Sequence, residues 1–560
     1  MYGLFPSLRG YRRRWLGRDA LAGMTVWAVL VPEALAYATI AGVSPVVGLY
    51  AAPAALILYA ALGTSKHLVA GPMAATAALS AAIVGESAGG SNAAFTAMTA
   101  ALAVTVGIAA LLAGLLRLGF VASFISEPVL KGFIVGLALT IIAGQLPKLF
   151  GVGGGSGDFF EKVWALIGDI GAASGLTALV GVGSLVLILV LKRVAPVVPG
   201  SLVAVALGIA AAAAFGLEDH GVDVVGSVRT GLPSVGFPDV TLDDLGDLVA
   251  GSVGVMLVAF AEGLGAAKTY AARDHYEVDA NRELIGLGAA GLGAGLSSGM
   301  VVNGSLSKTA VNWSAGARTQ LSGVFAAALT VITLLFLTGL FEQLPEAVLA
   351  GVVIAAVVEL VDIPSLVSLY RVFTRRLGQA YGVAARPDFL AAVAAMLGVM
   401  TFDTLPGLFI GIGVSLLLLL HRSSRPVVSE LGQASGNRHF IALDRHVDSR
   451  RIPGVVVLRV EAGIYFANAE RIRSTVRKAA DREGVAAVVI DAETIPFVDV
   501  SAVRMLDELA EDLAARGVRL LLARDVGQVR DVLRTAEARA EVRRVYPTVR
   551  AAVEAARTGT

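Results

Sequence analysis

The feature that most constrains this chain is a series of apolar blocks of bilayer-spanning length that fills its first 425 residues and then ends. A helix needs about 20 apolar residues to cross the hydrocarbon core, where the backbone must satisfy its own hydrogen bonds. The blocks that fit are Leu21–Ile40, Val46–Leu62, Ala93–Leu115, Val129–Leu146, Gly175–Leu191, Gly200–Phe215, Leu248–Ala267, Leu284–Leu296, Gly323–Phe341, Ala347–Val361, Leu390–Phe402 and Leu408–Leu420. Ala74–Val84 and Leu306–Trp313 are apolar but too short to span as plain helices, and each follows a break, Gly71-Pro72 and Asn303-Gly304. Together these segments predict about 14 crossings, with both termini on one side. A mean hydropathy of +0.75 places most of the mass in lipid.

Charge orients the spans. With the N-terminus cytoplasmic, the inner side collects Arg12, Arg13, Arg14, Lys66, Arg117, Lys131, Lys192, Arg193, Lys268, Arg273, Arg282, Arg318, Arg371, Arg375, Arg376, Arg386, Arg422 and Arg425. The outer side holds only Lys148, Lys162 and Arg229, beside an acidic loop from Glu218 to Asp247. This is the positive-inside distribution, and a single missed span would invert it. The basic N-terminus leads into an apolar span without a small-residue cleavage site, which reads as a retained first helix. The expected location is a bacterial-type inner (plasma) membrane, multi-pass, with both termini cytoplasmic.

Several function classes are excluded. A net charge of +1 offers no bulk attraction for nucleic acid. The absence of cysteine removes disulfides, thiolate metal sites and cysteine nucleophiles. The six histidines are scattered, so no metal cluster or other cofactor site is expected. No phosphate-cradling glycine-rich motif occurs, and no enzymatic activity is predicted.

The two short segments are each third in their half if the chain divides near residue 245. Paired, broken short helices in two halves are the sequence sign of an inverted-repeat transporter. A helix that starts inside the membrane leaves its first N–H groups unpaired, and with the helix dipole they present about half a positive charge. Two such ends make an anion site. The bland alternative is that Gly and Pro merely kink packed helices here.

The second break, Gly299–Gln320, carries Ser305 and Ser307, whose hydroxyls can donate beside the free N–H groups, and then Lys308. A lysine near the bilayer centre costs about 2.5–3.5 kcal/mol on insertion scales, tolerable if it lines a cavity or pairs with an anion. Otherwise it pairs with an acid for stability or snorkels to the inner face. Glu33 and Glu262 are the other exceptional charges. Intramembrane acids point to function, and either can bind a proton that offsets an incoming anion. The structural alternatives are Glu262 as the partner of Lys308, and Glu33, which follows Pro32, accepting from nearby backbone.

Downstream of residue 425, charged residues recur every few positions. The domain division is 1–425 membrane, 426–453 linker and 454–560 cytoplasmic. Val455–Val460, Ala486–Ala492 and Val518–Ala523 read as buried strands, alternating with helices at Glu470–Arg482, Val500–Arg516, Val526–Thr535 and Thr548–Arg557. This alternation predicts a small α/β domain.

Four strings carry a family resemblance: RDALAGMTVWAVLVPEALAYATIAGVSPVVGLYAA (Arg18–Ala52), LGTSKHLVAGPMAATAAL (Leu62–Leu79), YEVDANRELIGLGAAG (Tyr276–Gly291) and SLSKTAVNWSAGARTQLSG (Ser305–Gly323). The chain resembles the SulP (sulfate permease) anion transporters nearly end to end. The C-terminal part resembles the STAS domain through Gly463–Arg473 and Val489–Leu509. The resemblance implies a seven-plus-seven inverted repeat in which core and gate subdomains move against each other, with the anion between the N-termini of the third and tenth helices. It places site residues at Glu33 and Tyr37, at Met73 and Ala74, and at Ser307 and Lys308; Ser305 is added from its hydroxyl. It also implies a homodimer, and substrates among sulfate, bicarbonate and dicarboxylates, with sulfate or a similar oxyanion favoured.

Three departures bear on mechanism. The family usually has Gln where Glu33 stands, and a carboxylate there repels an anion unless protonated. Relatives resembling the sodium-driven bicarbonate type carry Asp at position 262 and Thr one turn later, where Ala266 cannot ligate sodium. The tenth-helix cation is often Arg, whereas Lys308 is a point charge without a planar fork. The expectation is therefore a proton-coupled symporter using Glu262 and Glu33, against a passive channel or uniporter, or a membrane sensor, on the same scaffold. In related anti-sigma-antagonist domains a serine at the Asp499–Ala502 loop is phosphorylated. Ser501 is the corresponding candidate, against an ordinary helix cap by Asp499 or Ser501.

Overall fold

The computed structural model describes residues 3–87, 91–120, 126–155, 157–195, 198–228, 230–371, 386–402, 404–434, 439–443 and 449–558. Arg229, Arg375 and Arg376 of the charge pattern lie outside the described residues. The chain divides into two compact units, one of Met1–Leu369 with Asp388–Val414 and one of Tyr370–Pro387 with Ser415–Thr560.

The helices that precede the C-terminal sheet are α1 (Leu16–Ile40), α2 (Pro45–Leu62), α3 (Ala74–Ser87), α4 (Asn92–Leu115), α5 (Glu127–Phe150), α6 (Phe159–Asp169), α7 (Gly175–Val194), α8 (Gly200–Phe215), α9 (Leu242–Arg273), α10 (Ala280–Leu296), α11 (Leu306–Ser314), α12 (Leu321–Phe336), α13 (Glu346–Val357), α14 (Ile363–Arg371), α15 (Pro387–Phe402) and α16 (Thr404–Ser423). Among the described residues, eight helices are long and apolar enough to cross a membrane, and α3, α8, α12 and α15 are shorter apolar helices. Lipid is the solvent these surfaces require. Only 22% of the apolar window of α7 and 17% of that of α16 is buried, and Leu179, Phe215, Phe336 and Leu417 stand exposed. So much outward apolar surface suits hydrocarbon and not water.

Small residues let helices approach where lipid gives no hydrophobic drive. α4 and α10 meet in this way. A Cβ on Gly288 would lie 2.7 Å from the Leu111 backbone nitrogen, and one on Gly107 would lie 2.6 Å from that of Leu292.

Two fully buried carboxylates hold the loops beside the broken helices. Asp19 of α1 accepts from the backbone N–H of Arg318 at 2.6 Å and from the Thr319 hydroxyl at 2.7 Å. Glu283 of α10 accepts from the Tyr59 hydroxyl at 2.5 Å and the Thr64 N–H at 2.7 Å. Gln320 Nε2 donates to the carbonyls of Ser65 and Leu68, tying the two loops together. Charge-assisted bonds to buried acids are among the stronger polar contacts. They fix where the chain turns before α3 and after α11.

Between those loops lies the only sheet in this unit among the described residues. β1 (Val69–Pro72) runs antiparallel to β2 (Val302–Ser305), with Val69 opposite Ser305 and Pro72 opposite Val302. Each strand leads into a helix, α3 or α11. The helix breaks inferred from Gly71-Pro72 and Asn303-Gly304 are thus strand-to-helix junctions.

The second unit is built on a sheet in the order β4-β3-β6-β7-β8-β9. Its strands are β3 (Val428–Ala434), β4 (Phe440–Ala442), β5 (Ser449–Arg450), β6 (Val455–Val460), β7 (Ala487–Asp491), β8 (Arg519–Ala523) and β9 (Val545–Tyr546). β6 to β9 are parallel, β3 is antiparallel to β6, and β5 pairs with β3. The helices are α17 (Ala469–Ala480), α18 (Val500–Ala515), α19 (Gly527–Thr535), α20 (Ala540–Arg543) and α21 (Val549–Thr558). The stretch 426–453, read from sequence as a linker, contributes β3, β4 and β5 to the sheet. Its polar, glycine-containing strand VSELGQA lies toward the sheet edge and lacks the apolar run of a central strand. Asp499, not Ser501, caps α18, accepting from the Ala502 N–H at 2.7 Å, and Ser501 is exposed in the first turn.

Gly288→Leu is expected to collapse the α4–α10 contact. Its melting temperature in detergent should fall by many degrees relative to Gly183→Leu, because a Cβ on Gly183 of α7 meets nothing within 4 Å.

Candidate anion site at the crossed ribbon

The site is built from the ribbon outward. Because β1 and β2 are antiparallel, their helices start at opposite ends of the ribbon. Four residues at about 3.3 Å each put those starts roughly 10–13 Å apart. Thr309 of α11 locks the crossing, accepting from the Val69 N–H at 3.1 Å. Ser305 is the N-cap of α11, its hydroxyl accepting from the Lys308 N–H at 3.3 Å and lying 3.2 Å from that of Ser307. Ser305 is buried, whereas Ser307 is exposed.

Lys308 follows one turn into α11 and points into the protein. Its ammonium lies 2.7 Å from Glu33 Oε2, with 1% of the lysine side chain and 8% of the glutamate side chain exposed. It also lies 5.0 Å from the centre of the Tyr37 ring, within cation–π range. Glu33 and Tyr37 are four residues apart on α1, so helical periodicity puts both on the face toward Lys308. Sequence reasoning left the partner of Lys308 open between an anion and an acid, with Glu262 as the named acid. In the structure the partner is Glu33. The carboxylate of Glu262, on α9, instead accepts from Asn303 Nδ2 of β2 at 3.3 Å.

A cavity of about 300 Å³ opens beside this pair, bounded by Glu33 of α1, Ser307 of α11, Lys192 of α7, Ser201 of α8, and Ala355 and Glu359 at and beyond the end of α13. Glu33 lines it and also bonds Lys308, so the carboxylate stands as the link between cavity and buried ammonium. Lys192 and Glu359 form an ion pair in its wall. Tyr37 and Lys308 are buried, and Met73 (half-buried) and Ala74 (buried) stand at the start of α3. Of the residues named from sequence, the fold therefore gathers Glu33, Tyr37, Ser305, Ser307 and Lys308 at one point. Met73 and Ala74 lie at the far end of the ribbon, and Glu262 lies along β2.

Two participants were not singled out. Lys192 counted only as an inner-face charge, and Glu359 sits unremarked at the end of an apolar block. Each closes a hydrophobic run, which looks like an ordinary helix end. Their pairing across two helices has no signal in one sequence. Asn303 was read only as a breaker, and its side chain turns out to hold Glu262.

An apolar helical bundle, interrupted at two strand-to-helix junctions that cross beside a buried ion pair and followed by an α/β domain, is the build of a multi-pass membrane transporter. The chain belongs to the sulfate permease family, a family of transporters and not of enzymes. Residues 16–378 match the Sulfate permease family and residues 446–552 match the STAS domain. It is 37% identical over 532 residues to "Probable sulfate transporter Rv1739c" of Mycobacterium tuberculosis, covering 95% of this chain and 93% of that one. It is 29% identical to "High affinity sulfate transporter 1" of Stylosanthes hamata, covering 93% and 80%. Its fold is similar to that of the murine Slc26a9 anion transporter in the inward-facing state. The TM-score is 0.89 at 21% identity, over 99% of this chain and 94% of that one.

Removing one member of a buried ion pair strands the other charge, which costs about 3–5 kcal/mol. Lys308→Met is therefore expected to lower the melting temperature in detergent, and Glu33→Gln/Lys308→Met to recover most of that loss. A double variant no more stable than Lys308→Met would contradict the pairing.

Proposed function

We propose that this chain is a secondary active transporter of small anions, with sulfate or a similar oxyanion as substrate, coupled to protons and working by alternating access. It works in a bacterial-type inner (plasma) membrane, with both termini cytoplasmic, as a homodimer. The observation that carries this reading is the Glu33–Lys308 pair at 2.7 Å, beside a cavity lined by Glu33 and Ser307.

The chemistry follows from one ammonium and two competitors for it. With Glu33 ionised, its carboxylate neutralises Lys308. Protonation of Glu33 removes that charge and leaves the ammonium to a negative solute. In a low-dielectric site two anions sharing one cation repel each other strongly, so proton and anion enter together. The Ser305 and Ser307 hydroxyls and the N-terminal turns of α3 and α11 supply further donors and partial positive charge. Glu262, held by Asn303 of the same ribbon, is a second proton carrier. The name of the Mycobacterium relative and its 37% identity support sulfate as the substrate.

The test is uptake of radiolabelled sulfate, bicarbonate and succinate into proteoliposomes at two pH values. An inward proton gradient should accelerate sulfate uptake, and a protonophore should abolish the effect. Lys308→Ala is expected to lose about a hundredfold or more of uptake. Glu33→Gln should keep uptake but lose its response to the gradient, and Glu262→Gln should weaken that response. Wild-type uptake indifferent to a pH gradient rules out the coupling, and undiminished uptake by Lys308→Ala rules out the site. A preference for bicarbonate or succinate reassigns the substrate. Single-channel currents reassign the mechanism to a channel, and anion binding without flux reassigns it to a sensor.

A further inference from the structure

The C-terminal unit carries a second concentration of positive charge that the transport reading does not use. A cavity of about 480 Å³ opens where the parallel strands β8 and β9 end, lined by Arg524, Asp525, Arg530, Arg534, Arg543 and Tyr546 among others. Its lining holds four arginines and one aspartate, and Asp491 and Glu493 stand against one of those arginines from outside the lining. The loops beyond the carboxyl ends of parallel strands are where open α/β sheets take ligands.

This is more than a solvated basic face, because two of the arginines are braced from behind. Asp491, fully buried in β7, accepts from Arg524 Nε at 3.0 Å and also pairs with its Nη2, while Glu493 takes its Nη1 at 2.7 Å, so each nitrogen of this guanidinium already meets a carboxylate. Asp525, whose side chain is 1% exposed, takes Arg530 through Nε at 3.1 Å and Nη2 at 2.6 Å. Arg530 also feels Asp531 beside it. Arg534 lies one turn beyond Arg530 on α19, and Arg543 ends α20. Neither has an acidic partner among the described residues. The N-cap of α19, Val526, offers no side-chain cap to the first N–H groups of that helix. With Arg524 and Arg530 matched by carboxylates, Arg534 and Arg543 are the arginines of this concavity left without a counter-charge among the described residues. An unengaged guanidinium fork matches the geometry of a tetrahedral oxyanion.

We infer that this cavity is a binding site for a multiply charged phosphate- or sulfate-type oxyanion, held by Arg534 and Arg543 beside the carboxylate-paired Arg524 and Arg530. Such a group comes either as a free ion or as the phosphate of an anionic lipid headgroup.

The test is calorimetric titration of the full-length protein in detergent with inorganic diphosphate, comparing wild type, Lys308→Ala and Arg534→Ala/Arg543→Ala. Binding is expected to be alike in wild type and Lys308→Ala, to weaken with added salt, and to be about tenfold or more weaker in the double arginine variant. That variant should melt like wild type and keep sulfate uptake in the absence of diphosphate. Repeating the titration in nanodiscs separates the two sources. Weaker diphosphate binding in discs containing phosphatidic acid than in neutral ones identifies lipid phosphate as the occupant, and equal binding identifies the free ion. Absent heat at millimolar diphosphate, equal affinity in the double arginine variant, or loss of binding in Lys308→Ala would overturn the assignment.

Discussion

In hydrocarbon an unpaired backbone group has no water to turn to, and this chain breaks two of its membrane helices. The crossed ribbon resolves that conflict. Val69–Pro72 and Val302–Ser305 are too short to be stable alone, but they satisfy each other and are buried along their whole length. The antiparallel pairing then decides the rest of the site. It sets the helix starts at opposite ends, seats Ser305 as a cap, and brings Asn303 beside Glu262. Asp19, Glu283 and Gln320 hold the adjoining loops, so the ribbon is positioned by buried polar contacts as much as by packing.

The buried ammonium follows from that placement. A lysine one turn into a helix that starts inside the bundle cannot snorkel to a membrane surface, so it requires a negative partner within reach. In the structure that partner is Glu33, one turn from Tyr37 on α1. A pair with 1% and 8% exposure has lost nearly all its hydration, and its worth to stability is small compared with the cost of breaking it. Such a pair serves better as a switch than as a brace, since neutralising either member changes what the other accepts. The Lys192–Glu359 pair differs, because both side chains remain substantially exposed and can be exchanged for water.

The C-terminal unit uses charge in another way. Its buried carboxylates, Asp491 and Asp525, engage arginines without being needed for the hydrophobic core, which is formed by residues such as Val488, Ile490, Leu506 and Leu520. The positive side chains so held end at the strand termini, where a parallel sheet leaves open loops.

How much was legible follows from the physics of each element. Apolar blocks, breaks and charge asymmetry are local in sequence, so the membrane bundle, the strand–helix alternation of the second unit and the exceptional status of Glu33, Glu262 and Lys308 could be read directly. The candidate site residues Glu33 and Lys308 stood out too, because a charged side chain in an apolar run has few destinations. What sequence could not show was which acid meets the lysine, and that polar residues 428–434 join a sheet. Nor could it show that Lys192 and Glu359, 167 positions apart in number (359 − 192), share one cavity. Those pairings depend on how helices and strands remote along the chain come to lie side by side. Composition and periodicity say which face of an element is buried. Only the packed tertiary structure selects its neighbour, because burial energy is non-directional, while an ion pair or a strand register is decided over a few ångströms.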